Sequence, residues 1–141
     1  MRILGVDLGA RRIGLAISDP SGTLARPLMT MVIGSADEAA ARVSAMIEQL
    51  SGEEDGLTAV VVGLPSRLDG SAHEATARVR GFIDALGKRT PVTIATQDER
   101  LSSREAESRL ALRERDWRKR KTKLDAAAAA VILQDYLDGS R

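Results

Sequence analysis

The run Leu57-Thr58-Ala59-Val60-Val61-Val62-Gly63-Leu64-Pro65 constrains the fold more than any other stretch of the chain. It is almost continuously apolar and rich in β-branched residues, which suits a strand buried on both faces. Strands of that kind belong to the parallel part of a sheet with helices above and below, so the predicted class is α/β. Helix-period segments flank it as that class requires. Ser35-Ala36-Asp37-Glu38 reads as a helix start, and Ala39, Val43, Met46, Ile47 and Leu50 recur at helical spacing before Ser51-Gly52. A second helix is predicted over about 72–86, with Ala75, Val79, Phe82, Ile83 and Leu86 along one side.

The N-terminal stretch supplies more strands. Ile3-Leu4-Gly5-Val6-Asp7-Leu8-Gly9 followed by Arg12-Ile13-Gly14-Leu15-Ala16-Ile17-Ser18 reads as a hairpin. Gly9 is expected to turn the chain with a positive φ or to admit a ligand close to the backbone. Ser18-Asp19-Pro20-Ser21-Gly22 is turn chemistry, and residues 23–33 form a third predicted strand, which Pro27 marks as an edge strand or as one that begins after the proline. Short turns join these three into an antiparallel meander. Pro91-Val92-Thr93-Ile94-Ala95-Thr96 is a second parallel-type strand, which completes a five-stranded mixed sheet with helices on both faces. A helix over about 104–112 and another over about 124–137 close the chain, read as one domain over 1–141.

Composition removes several kinds of chemistry. There is no cysteine and one histidine, His73, so thiolate metal sites, disulfides, thiol nucleophiles and multi-histidine sites are excluded. The aromatics are Phe82, Trp117 and Tyr136, too few for a base-stacking platform. The formal charge of +1 is uninformative, but residues 113–123 carry seven basic and two acidic side chains, a local net of +5. So dense a run is expected to be a mobile arm that binds phosphates, using Arg118, Lys119, Arg120, Lys121 and Lys123. No basic-then-apolar leader and no apolar run of membrane-spanning length is evident, and a cytoplasmic protein with no membrane partner is expected.

Carboxylates recur at strand and helix ends. Asp7 ends the first apolar run, beside the interior, where an ionised carboxylate is rarely left without a cation or hydrogen bonds. Asp98 and Glu99 end the last strand, and Asp125 opens the last helix, where a capping role would also account for it. Together, Asp7, Asp98 or Glu99, and Asp125 are oxygen-only donors of the kind that holds Mg2+ or Mn2+. Two such ions about 4 Å apart can activate water and stabilise the leaving oxygen in phosphodiester cleavage. Arg11 and Arg12 add positive charge beside Asp7.

Val6-Asp7-Leu8-Gly9, Arg12-Ile13-Gly14-Leu15-Ala16, Ser18-Asp19, Val62-Gly63-Leu64-Pro65, Asp69-Gly70-Ser71, Asp98-Glu99-Arg100-Leu101-Ser102 and Lys123-Leu124-Asp125 closely resemble the YqgF family, also called RuvX. The resemblance spans nearly the whole chain in order. It implies a ribonuclease H-like fold and a metal-dependent nuclease with its acidic site on Asp7, the Asp98-Glu99 pair and Asp125. Bacterial members are associated with maturing the 5′ end of the small-subunit (16S) ribosomal RNA precursor, and the family was earlier proposed to resolve Holliday junctions. Many ribonuclease H-like enzymes carry an acid at the end of the strand after the first helix, where this chain reads Gly63-Leu64-Pro65. The second acid is therefore expected from the next strand, with Glu99 favoured as the ligand and Asp98 as the alternate. Family members often have glycine before the last acid, where this chain has Lys121-Thr122-Lys123.

The sequence thus predicts an endonuclease that uses Asp7, Glu99 and Asp125 on metal and binds phosphates through Arg11, Arg12, Arg100 and the basic run. Its expected partners are RNA, in particular precursor ribosomal RNA with the small ribosomal subunit, or branched DNA. A junction resolvase would need paired sites and so a homodimer; the sequence leaves monomer and homodimer both open. The competing classes are a binding module for nucleic acid or ribosome assembly without turnover, and a sugar-kinase-type phosphotransferase, which the chain is too short to complete.

Overall fold

The computed structural model describes residues 1–65, 73–98 and 117–139, the last of these by backbone alone up to 124. Its elements run β1 (Arg2–Leu8), β2 (Arg12–Ser18), β3 (Ala25–Val32), α1 (Ala36–Ser51), β4 (Leu57–Leu64), α2 (His73–Gly87), β5 (Thr93–Asp98) and α3 (Trp117–Gly139). The five strands form one sheet in the order β3-β2-β1-β4-β5. β1 pairs antiparallel with β2 and parallel with β4, β2 pairs antiparallel with β3, and β4 pairs parallel with β5. The predicted meander and the two parallel strands are all present.

Pro27 lies on the edge strand, as its missing N–H requires. The β2–β3 register slips beside it: Leu15 faces Met29 but Ala16 faces Pro27, so Leu28 is an extra residue on β3. A bulge beside an edge proline spares the ladder a donor it lacks. α1 starts as expected, with Ser35 Oγ accepting the Glu38 N–H at 3.1 Å and Glu38 Oε2 accepting the Gly34 N–H at 2.8 Å.

Side-chain alternation divides the interior in two. Leu4, Val6, Ile13, Leu15, Val60 and Val62 point to the face covered by α1 and α2, where Val43, Ile47, Phe82 and Leu86 complete the larger core. Ala16 and Val61 point to the other face and pack on Ala129, Ile132, Leu133 and Leu137 of α3. Among the described residues, one helix covers the second face. It lies close to the strands because small residues meet it there. A Cβ on Gly5 would stand 2.8 Å from Leu133 Cβ and 3.1 Å from the Ala129 carbonyl oxygen.

Gln134 fixes α3 lengthwise. Its Nε2 donates to the Thr23 carbonyl oxygen at 2.9 Å, and its Oε1 accepts the Ala25 N–H at 2.9 Å, so one amide satisfies two backbone groups at the start of β3. Gln134→Ala would leave both without that partner. It is expected to lower unfolding free energy by about 2 kcal/mol. Chemical denaturation measures this, and an unchanged midpoint would show that the clamp contributes nothing.

One element differs from expectation. The charge of the basic run predicts a mobile arm, yet the helix backbone begins at Trp117 and passes through residues 118–123 without a break. Arginine and lysine are good helix formers, and no proline or glycine intervenes before Gly139. Asp125 therefore sits two turns inside α3 rather than in its first turn, which removes capping as its explanation. The expected helix over 104–112 lies outside the described residues.

Candidate active site

Asp7 is the sixth residue of β1 and stands directly opposite Gly14 of β2. Residues paired across antiparallel strands project to the same face. That face is the one α3 covers, because Gly5 and Ala16, two positions away on each strand, both meet α3. At Gly14 the approach is closest of all: a Cβ there would run into the carbonyl group of Asp125. The α3 backbone thus rests on Gly14, and Asp7 and Asp125 share one face of the sheet a single strand apart.

Arg12 completes the cluster. It precedes Gly14 by two residues on β2, so it projects to the same face, and its Nε lies 2.9 Å from Asp125 Oδ2. The two side chains are 29% and 26% exposed, so this is a partly desolvated ion pair rather than a surface one. Asp125 Oδ2 itself is shielded from solvent, so the charge of Arg12 acts on it at short range and with little screening. The sequence suggests a substrate phosphate as the partner of Arg12; in this structure the partner is one of the acids. Arg11, at the hairpin turn, is exposed.

Gly9 turns the chain without the positive φ expected of it. Positive φ values occur at Gly22 and Gly56 among the described residues, not at Gly9. Instead, the Gly9 N–H donates to the Arg12 carbonyl oxygen at 2.8 Å, and a Cβ on Gly9 would stand 2.9 Å from that oxygen. Glycine is required here by the tightness of the turn that delivers Arg12.

The register of β5 fixes the face on which Asp98 lies. Val61 pairs with Ala95 and both face α3, whereas Val60 pairs with Ile94 and both face α1 and α2. Two residues further on, Gly63 and Gln97 lie on the α3 face, and Leu64 and Asp98 lie on the other. Asp98 is exposed and projects away from the face of Asp7 and Asp125. Gln97, which is not among the predicted site residues, is the β5 side chain on their face nearest the strand's C-terminal end. Its place in the alternation with the apolar Ile94 is the signal in the sequence that points to it. Glu99 and Arg100 lie outside the described residues, as do the side chains of Arg118, Lys119, Arg120, Lys121 and Lys123. Among the described residues, no three carboxylate or histidine side chains converge. The described part of the site is two carboxylates and an arginine.

No helix among the described residues is long and apolar enough to cross a membrane. A model of the RuvX family, described as Holliday junction resolvase, matches residues 1–139. A protein of Desulforudis audaxviator named "Putative pre-16S rRNA nuclease" is 36% identical over 141 residues, covering 100% of this chain and 96% of that protein. One of the same name from Anaeromyxobacter sp. (strain K) is 44% identical over 138 residues, covering 98% and 97%. Among solved structures, T. thermophilus RuvC in complex with Holliday junction substrate matches with a TM-score of 0.54 at 17% identity, covering 99% of this chain and 95% of that one. At that identity the likeness is one of fold, and the fold is ribonuclease H-like. With the family model and the curated relatives both spanning almost its full length, the chain belongs to the RuvX family.

Proposed function

We propose that this protein is a metal-dependent endonuclease that matures the 5′ end of precursor 16S ribosomal RNA in the cytoplasm. The observation that carries the reading is the convergence of Asp7 and Asp125 on one face of the sheet, forced by the seat of α3 on Gly14. The names of the relatives supply the substrate class.

The donors present suit a hard cation. Asp7 and Asp125 offer only oxygen, and Arg12 offsets part of the charge of the two carboxylates. Asp7, Asp125 and, as third ligand, Glu99 would hold Mg2+ or Mn2+. Such an ion supplies the charge that lowers the pKa of an attacking water and stabilises the departing oxygen. The chain itself contributes position. Asp7 is fixed by a paired strand, Asp125 by a helix seated on glycine, and the first turns of α3 bring Arg118, Lys119, Arg120, Lys121 and Lys123 within a few residues of Asp125.

The deciding experiment offers precursor ribosomal RNA and a four-way DNA junction to the protein, each with Mn2+ and with a chelator. Cleavage of the RNA near its mature 5′ end, dependent on Mn2+, is expected. Cleavage of the junction alone would select a resolvase, and a dimer in solution would accompany it. Binding without cleavage of either would select a non-catalytic module.

The basic turns of α3 have their own test. Replacing Lys119, Arg120 and Lys121 together with alanine is expected to weaken RNA binding and flatten its salt dependence. The slope of log K against log salt should fall by about 0.7 for each phosphate that is no longer neutralised. An unchanged slope would place the RNA elsewhere.

A further inference from the structure

The sequence offers Arg12 as one more phosphate ligand, but the fold gives it another partner. It reaches Asp125 across 113 positions of sequence, from the strand that also carries Gly14, the glycine against which Asp125 itself rests. The pair is partly buried, and the two charged groups meet at 2.9 Å. Asp7 lies on the same face, one strand over. Two carboxylates brought to one face by the backbone repel, and Arg12 is a cation that the fold places against that repulsion. A divalent ion entering between the acids would meet Arg12 already on one of them.

We infer that Arg12 is an exchangeable counter-ion. It holds Asp125 while no metal is bound, releases that carboxylate when Mg2+ or Mn2+ enters, and then turns its guanidinium toward the phosphates of the nucleic acid. The inference rests on the metal-dependent reading above. Arg12 is on this account a positioning residue that competes with the metal, and its release ties metal occupancy to substrate binding. Linkage makes the tie reciprocal.

Calorimetric titration of Mn2+ into the wild type, Arg12→Gln and Asp7→Asn tests the exchange without any turnover. Arg12→Gln is expected to bind Mn2+ about tenfold more tightly than wild type, because the competing charge is gone, while Asp7→Asn binds more weakly. In chelator, Arg12→Gln should melt below wild type, and in Mn2+ the difference should close. A merely structural ion pair would lower the melting temperature equally in both conditions. Mn2+ binding by Arg12→Gln no tighter than wild type, with Asp7→Asn weaker than both, would overturn the exchange and leave the acidic site standing. Equal binding by all three would overturn both. A second measurement needs no variant: in wild type labelled with heavy-nitrogen arginine, the Arg12 Nε–H resonance is expected to shift and lose protection on saturation with Mg2+. A resonance that stays fixed while Mg2+ binds would also overturn the exchange.

Discussion

Gly14→Ala is expected to destabilise the protein by about 3 kcal/mol and to lower cleavage by on the order of a hundredfold, although it touches neither acid's side chain. The reason is geometric. A methyl group at Gly14 would occupy the space of the Asp125 carbonyl, a backbone group on a packed helix that no rotamer change can move aside. Relief requires α3 to lift from β2, and lifting carries Asp125 away from Asp7. The upper end of the overpacking range applies because the group in the way is main chain. Gly81→Ala is the control: a Cβ there meets nothing within 4 Å, it lies inside α2, and the change should stabilise by about 0.5 kcal/mol. Denaturation midpoints and cleavage rates of the two variants decide the matter. A Gly14→Ala protein as stable and active as wild type would mean that α3 does not rest where the structure puts it.

Most of the fold can be read from local pattern. The valine run of β4, the Pro27 edge, the Ser35 helix start and the parallel strand ending in acids each follow from a few adjacent residues, and each element is present in its predicted order. What escapes such a reading depends on contacts between distant segments. Gly5, Gly14 and Ala16 line one face of the hairpin, and residues 126–130 are all alanine, so two backbones can approach closely. Each half of that match looks ordinary alone. The same holds for Gln134, whose partners lie more than 100 residues earlier, and for Arg12, whose position beside a predicted active site suggests a phosphate rather than Asp125. Asp98 is open to a ligand role in the sequence because its face cannot be read without the register; the pairing of Leu64 with Asp98 puts it on the face away from Asp7. The start of α3 differs for another reason. Charge density argues for a mobile segment, and helix propensity with a packed continuation outweighs it.

Asp7→Asn is expected to reduce cleavage by on the order of a thousandfold, equivalent to about 4 kcal/mol of transition-state stabilisation, while the protein stays folded and still binds RNA. The amide has the shape of the carboxylate, so β1 keeps its pairing with Gly14 and the core below it is undisturbed. Asp7 is half-buried on the face it shares with Asp125, so removing its charge also relieves repulsion between the two acids. Stability should therefore hold or rise slightly, and affinity for RNA should change less than about threefold, since none of the basic residues is altered. Asp125→Asn cannot separate these effects so cleanly, because it would also release Arg12 from its ion pair. Cleavage, melting temperature and RNA affinity measured side by side give the test. Retained cleavage in Asp7→Asn would remove Asp7 from the chemistry, and loss of folding would assign it a structural role instead.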